Sequence, residues 1–368
     1  KNPAIRNYER RSEPGFGGRT VFTYKKDFTA YTGQKESSLQ IVWGGEYRDG
    51  FFNTQVSKNK NGNPDTSQTN DDIRNTEYIF FIQGDVIIRE NWFINAGIST
   101  NQTKVEFTRL NNYPVVKQNR TYQNEFAPRV SVKRKLINDL FIATTFSRGF
   151  SPPTIGELLP STGIISTNLE AEYGWNYELT ARYGITKNKH RIDLEATGFI
   201  FRLNEALVQR RDAGGADFFV NAGDTKQQGI ETTLNYTFNP FDNRLLNYIT
   251  VNTAYTYNHF RYGSFIQGVN DYSGKRLPSV PDNTLSVIAD LHLQNGFYSN
   301  ATFYYASSIF LNDANTAKAN EYNLLGWRLG WKKTFIKKYK LNLYAGADNL
   351  LDEMYSLGND INAAAGRY

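Results

Sequence analysis

Arg191-Ile192-Asp193-Leu194-Glu195-Ala196-Thr197-Gly198-Phe199-Ile200 is a chain with one oily edge and one charged edge. Successive side chains of a strand point to opposite faces, so Ile192, Leu194, Ala196, Gly198 and Ile200 share one face. Arg191, Asp193, Glu195 and Thr197 share the other. The pattern returns in Ile249, Val251, Tyr255 and Tyr257 against Thr250, Asn252, Thr256 and Asn258. It returns again in Leu285, Val287, Ala289, Leu291 and Leu293 against Thr284, Ser286, Asp290 and His292. Fourteen such strands are expected, at 17–31, 39–49, 75–88, 92–105, 123–136, 139–149, 171–184, 189–203, 226–238, 247–259, 281–294, 297–309, 320–333 and 340–349.

The connectors between these strands are sorted by length. Residues 32–38, 89–91, 137–138, 185–188 and 295–296 are short, with 239–246 moderate, and they alternate with long connectors at 50–74, 106–122, 150–170, 204–225, 260–280 and 310–319. Short turns at one end and long loops at the other are the asymmetry of an outer-membrane barrel. Asn295-Gly296 is expected to form a two-residue hairpin turn. The long connectors, such as 57–72 (SKNKNGNPDTSQTNDD), have the composition of solvated loops. A soluble β-sandwich also alternates, but it buries its apolar face and does not sort its loops by end. The fold class expected is therefore all-β, a transmembrane antiparallel β-barrel.

Composition agrees. Across 368 residues the hydrophobic content is 39% and the mean hydropathy −0.56. No run approaches the roughly 18 apolar residues of a transmembrane helix. A barrel escapes that requirement because only every second residue faces lipid. The 24 Tyr and 25 Phe suit aromatic girdles at the two membrane interfaces. Cysteine is absent, which excludes disulfides and thiolate metal sites, and His190, His259 and His292 have no ligand spacing. Neither a metal site nor a resident cofactor is expected. The net charge of +6 sits largely beside short turns, as at Lys133, Arg134, Lys135, Lys187, Lys189, Lys332 and Lys333. No basic face with stacking aromatics is concentrated anywhere, so nucleic acid is not an expected partner. Neither a nucleophile elbow nor a metal-binding motif is present, and an enzyme is not expected.

Four local patterns go beyond barrel grammar: 146–158 (FSRGFSPPTIGEL) followed by 168–172 (NLEAE); 221–231 (NAGDTKQQGIE); 274–281 (GKRLPSVP); and 346–355 (GADNLLDEMY). Each has a structural use. Pro152-Pro153 cannot donate ladder hydrogen bonds and ends a strand. Pro278 and Pro281 hold the chain extended, and Asp348-Asn349 caps a turn.

In this order and spacing the four patterns resemble the C-terminal half of TonB-dependent outer-membrane receptors, and the resemblance covers nearly the whole chain. It implies that residues 1–368 form a C-terminal part of such a barrel, about 14 of 22 strands. Strand parity in that family implies strands 8 to 21, with the plug domain, earlier strands and last strand outside this chain. It further implies a Gram-negative outer-membrane location, contact with outer-membrane lipid, and energisation by the TonB complex through the absent plug. The motif set is most similar to siderophore-type receptors. Residues 307–316 (SSIFLNDANT) with 325–330 (LGWRLG) resemble the ferric citrate receptor branch. The expected ligand is a ferric chelate. An anionic, carboxylate-rich chelate calls for Arg forks and amide donors, which makes Arg109, Arg120, Arg210, Arg211, Arg261, Asn359 and Asn362 the candidate binding residues. The alternatives are a cobalamin or glycan receptor of the same family, or a passive porin-like or adhesive barrel.

Overall fold

The computed structural model describes residues 7–29, 35–137, 139–159, 166, 168–211, 217–221, 223–240, 245–335, 339–357 and 362–363. In chain order the first elements are β1 (Asn7–Ser12), β2 (Gly15–Thr29), β3 (Lys35–Lys60), β4 (Asn63–Ile88), β5 (Trp92–Arg109), β6 (Lys117–Ile137), β7 (Leu140–Ser151) and one short helix α1 (Ile155–Leu158). Next come β8 (Glu172–Lys187), β9 (His190–Asn204), β10 (Leu207–Arg211), β11 (Asp217–Asn221), β12 (Thr225–Phe238), β13 (Leu246–Tyr262), β14 (Ile266–Gln267) and β15 (Asn270–Asp271). The last are β16 (Asn283–Leu293), β17 (Phe297–Ala306), β18 (Ile309–Phe310), β19 (Lys318–Ala319), β20 (Tyr322–Phe335), β21 (Tyr339–Ala347), β22 (Tyr355–Ser356) and β23 (Asn362–Ala363). Each of the fourteen expected strands has its counterpart, from β2 to β21.

The chain divides into two compact units. The first is Lys1–Ser131, Ser147–Gly174 and Glu205–Asn221; the second is Val132–Phe146, Trp175–Asn204 and Ala222–Tyr368. In the first, β1 and β2 both pair with β3, and the antiparallel order continues through β4, β5 and β6. In the second, the order is β7-β8-β9-β12-β13-β16-β17-β20-β21. The additional short strands pair locally as β10–β11, β14–β15, β18–β19 and β22–β23; β10, β11, β14 and β15 lie inside segments expected to be loops, and β18 starts at Ile309, the last residue of an expected strand.

Register puts like with like. Ile192 lies opposite Tyr236, Tyr236 opposite Val251, and Val251 opposite Ala289, while Asp193 lies opposite Asn235 and Asn235 opposite Asn252. The apolar rows are the exposed ones. Phe80 is 60% exposed, Ile230 51% and Leu329 47%, whereas Asp193 and Glu195 are half-buried. In water that arrangement would expose a broad apolar surface; in lipid it is the required one.

Aromatic belts bound the apolar face. Near the short turns of the second unit, His190 Nδ1 lies 2.8 Å from the Tyr236 hydroxyl and the His190 ring stacks on Phe238 at 4.7 Å. Phe297, Trp331 and Phe335 form a second group there. Toward the long connections, Tyr255 donates to Asn283 Oδ1 and Tyr305 to Glu321 Oε2, at 2.8 and 2.9 Å. Phe297 and Tyr305 share one face of β17, separated by about 27 Å of strand, which strand tilt shortens toward the roughly 25 Å apolar band of such barrels. In the first unit Phe16, Tyr47 and Tyr78 make the belt near the long connections, with centroid spacings of 6.0 and 5.1 Å.

Two expectations about connectors need correction. Residues 50–74 are not an irregular loop: β3 and β4 continue as a paired ribbon, Lys60 opposite Asn63, closed by Asn61-Gly62 with φ of 52° and 89°. Both positive φ values make this a type I′ turn. The outer part of this ribbon, 58–68, is exposed and satisfies its backbone without apolar alternation, so polar composition there indicated solvation and not irregularity. Asn295-Gly296 is not a two-residue turn. Only Gly296 is left-handed, at φ 94°, and its N–H donates to the Leu293 carbonyl at 3.1 Å. This is a three-residue connection with glycine in the bulge position, where a Cβ would stand 2.2 Å from the Lys332 carbonyl oxygen.

A tight turn instead occupies Arg89-Glu90, both left-handed at φ 47° and 55°, with the Asn91 N–H donating to the Ile88 carbonyl at 3.1 Å. Non-glycine residues pay for that conformation. Glu90→Gly is expected to stabilise the barrel by about 1 kcal/mol, read as a higher urea midpoint for unfolding in lipid vesicles; an unchanged or lower midpoint would show that the turn is unstrained.

Candidate functional site

A buried apolar cluster stands on the polar-face phase of the first unit, toward the long connections. On β5, Ser99, Asn101 and Thr103 line the polar face, and the same phase then turns apolar at Val105 and Phe107. Ile73 of β4 lies opposite Phe107. These three pack with Tyr122, Leu158 and Leu169, and with Phe52, Phe150, Ile155, Leu159, Leu207 and Phe219 around them. The segment after β7 supplies Leu158 because Pro152-Pro153 ends the strand and Thr154 caps α1. The Thr154 hydroxyl accepts from the Glu157 N–H at 3.4 Å, and the Thr154 N–H donates to Glu157 Oε2 at 2.6 Å, a capping box.

Other motif residues tie this assembly together. Asn221 accepts from the Glu170 N–H at 2.9 Å and donates to the carbonyls of Glu170 and Glu205 at 3.1 and 2.7 Å. Glu172 Oε1 accepts from the Leu207 N–H at 2.6 Å, and burial raises the Glu172 pKa. In the second unit 274–281 is bound to 312–317: Lys275 donates to the Ala314 carbonyl at 2.7 Å, while Asn315 accepts from the Arg276 N–H and donates to the Arg276 carbonyl, both at 2.9 Å. Asn349 brackets Glu353 in the same way, with two bonds of 3.0 Å. The four patterns hold connections in shape.

A cavity of about 360 Å³ opens beside the cluster. Ile73, Val105, Phe107, Tyr122, Leu158 and Leu159 form its floor and walls, and Gln118, Asn119 and Arg120 its mouth. The Arg120 guanidinium lies 5.2 Å from the Tyr122 ring centroid and pairs with Glu170 Oε1 at 2.7 Å. The Tyr122 hydroxyl lies 3.5 Å from the Leu169 carbonyl oxygen, and burial pushes its pKa up. Nearby, Lys104 of β5 and Lys117 of β6 both reach Glu106 at 2.9 Å and hold its pKa down.

Among the described candidate residues, Arg120 is the one that lines this cavity. Arg109 grips Asp71 with two hydrogen bonds of 2.8 and 2.9 Å. Arg210 lies on β10, where its Nη1 is 3.5 Å from the Gln209 carbonyl oxygen. The Arg211 backbone pairs with Asp217, its side chain lying outside the described residues. Arg261, in the second unit, donates to His259 Nε2 and to the Gly274 carbonyl at 2.9 and 2.8 Å. Asn359 is outside the described residues, and Asn362 is described only through its backbone, opposite Ser356. Tyr122 and the cavity floor were not among the residues expected from sequence. Their signal was the apolar pair Val105 and Phe107 in phase with Asn101 and Thr103.

Comparison with known proteins adds the following. A family model described as TonB dependent receptor-like, beta-barrel matches residues 3–350. The ferric citrate transporter FecA in its unliganded form superposes with a TM-score of 0.71 at 17% identity, covering 95% of this chain and 51% of that one. The siderophore receptor PiuA from Acinetobacter baumannii gives 0.69 at 16%, covering 96% and 55%. The copper transporter OprC gives 0.73 at 15%, covering 98% and 57%. At these identities the structures show a shared fold. The chain spans about half the length of each of them.

Proposed function

The chain belongs to the TonB-dependent receptor-like β-barrel family, and we propose that it is the C-terminal barrel portion of a Gram-negative outer-membrane receptor that takes up a ferric chelate of siderophore or ferric citrate type. Uptake is energised by the TonB complex acting through a plug domain. The exposed apolar rows and their aromatic belts support the membrane placement. The observation that carries the ligand assignment is the cavity with Gln118, Asn119 and Arg120 at its mouth, since amide and guanidinium donors suit the oxygen-rich, anionic surface of a ferric chelate. Arg120 is the first contact. Arg210, Arg211, Arg261, Asn359 and Asn362 are further contacts from the long connections, and Arg109 serves the site by holding β4 and β5 together.

Deleting the gene for the whole receptor is expected to abolish iron-limited growth on one class of ferric chelate, with uptake of that chelate lost when the proton-motive force is collapsed. Unimpaired growth on every iron source would overturn the iron assignment. Uptake that survives de-energisation would replace active transport with a passive barrel, and a growth defect confined to cobalamin or a glycan would move the receptor to those ligands.

A further inference from the structure

The cavity in the first unit has a chemistry that a small, wholly polar chelate does not use. Its floor is Ile73, Val105, Phe107, Tyr122 and Leu158, all buried. Val105 and Phe107 occupy the strand phase that carries Asn101 and Thr103 farther down β5; a path meant only for polar solutes would keep polar side chains there. Below Arg120 the one polar side-chain atom is the Tyr122 hydroxyl, which lies 3.5 Å from the Leu169 carbonyl oxygen, so the floor is almost wholly apolar. About 360 Å³ falls at the low end of ligand pockets, room for one arm of a chelate and not for its whole body.

The mouth has the complementary preference. Arg120 stands above the Tyr122 ring and pairs with Glu170, whose side chain is 59% exposed. A pair with so exposed a partner is worth little, so a ligand carboxylate can replace Glu170 on the guanidinium at small cost.

We propose that this cavity binds the alkyl arm of an amphiphilic ferric chelate, with a carboxylate of the iron-binding head seated on Arg120. The inference rests on the ferric-chelate reading above and narrows it. Ferric citrate, which has no such arm, leaves the floor unfilled and binds weakly.

The test uses the full-length receptor in detergent and two probes, ferric citrate and the ferric complex of a citrate mono-octylamide, titrated calorimetrically. Even one methylene in an apolar pocket is worth roughly 10–200-fold, so the octyl chelate is expected to bind about 100-fold more tightly or better. Val105→Trp, which fills the cavity, is expected to erase that preference, read as the ratio of the two affinities. Val105→Phe, a smaller filling, is the second variant, and both are checked for folding by thermal melts. Equal affinity for the two probes in the unaltered receptor overturns the proposal. So does an octyl preference that survives both fillings, which would mean that detergent or another part of the receptor holds the arm. Binding of ferric citrate alone leaves the ferric-chelate function standing and removes the amphiphile. Binding of neither probe, with no chelate taken up by cells, overturns the function and this inference together.

Discussion

Leu194→Arg destabilises the folded barrel by about 2–4 kcal/mol, the cost of an arginine on the lipid face near the bilayer midplane. Leu194 sits on β9 opposite Leu234 and is 41% exposed. It lies on the apolar row between the aromatic belt at His190 and the exposed Ile200. The size of the effect discriminates between environments. On a protein surface in water, replacing a leucine this exposed by arginine would change stability by no more than about 0.5 kcal/mol. Only an apolar surrounding makes the charge costly. The paired control is Glu195→Gln on the opposite face, expected to stay within about 0.5 kcal/mol. Urea unfolding from lipid vesicles, followed by tryptophan emission, measures both. A neutral Leu194→Arg would place that face in water and remove the membrane assignment with it.

The strands were legible because the requirement that shapes them is local. Lipid on one face and polar surroundings on the other impose a period of two, and residues 191–200 state it without reference to any other segment. Ribbons outside the membrane lack that requirement. Residues 50–74 gave no alternation, yet their own Asn61-Gly62 carried the turn signal, which a reading by composition passed over. Asn295-Gly296 shows the converse: the dipeptide marks a turn, but its length is set by where the ladder stops, at Leu293 and Phe297. For the site, residue type was legible and pairing was not. Arg109 and Arg120 were candidates of equal standing in the sequence. The fold gives one of them Asp71, 38 residues away, and the other a cavity mouth. Asn221 looked like a motif residue without a task until Glu170 and Glu205 met it. Such assignments depend on which connections come together, and local pattern carries no record of that.

Arg109 gives the sharpest test of that division between holding the site and binding its ligand. Asp71 is buried, at 3% exposed, and the Arg109 guanidinium grips both of its oxygens, which raises the arginine pKa. Removing one partner of a fully buried pair costs about 3–5 kcal/mol, because it strands the other charge. The Arg109 side chain keeps 22% exposure, so water screens part of the loss and Arg109→Ala is expected to cost about 2–4 kcal/mol. The loss falls on the outer part of β4 and β5, which opens locally before the membrane-spanning strands do. The Leu110 amide, bonded to the Asn70 carbonyl at 2.7 Å, reports on it. Its hydrogen exchange should accelerate roughly 30- to 1,000-fold in Arg109→Ala and return most of the way when Asp71→Ala is added, since the double variant strands no charge. Arg109→Lys should fall between, keeping the charge and losing the fork. If Arg109 instead bound the chelate directly, Arg109→Ala would lower affinity with Leu110 exchange unaltered, and adding Asp71→Ala would restore nothing. An arginine that only holds the strands gives the opposite result: in the double variant, exchange protection and chelate affinity recover together.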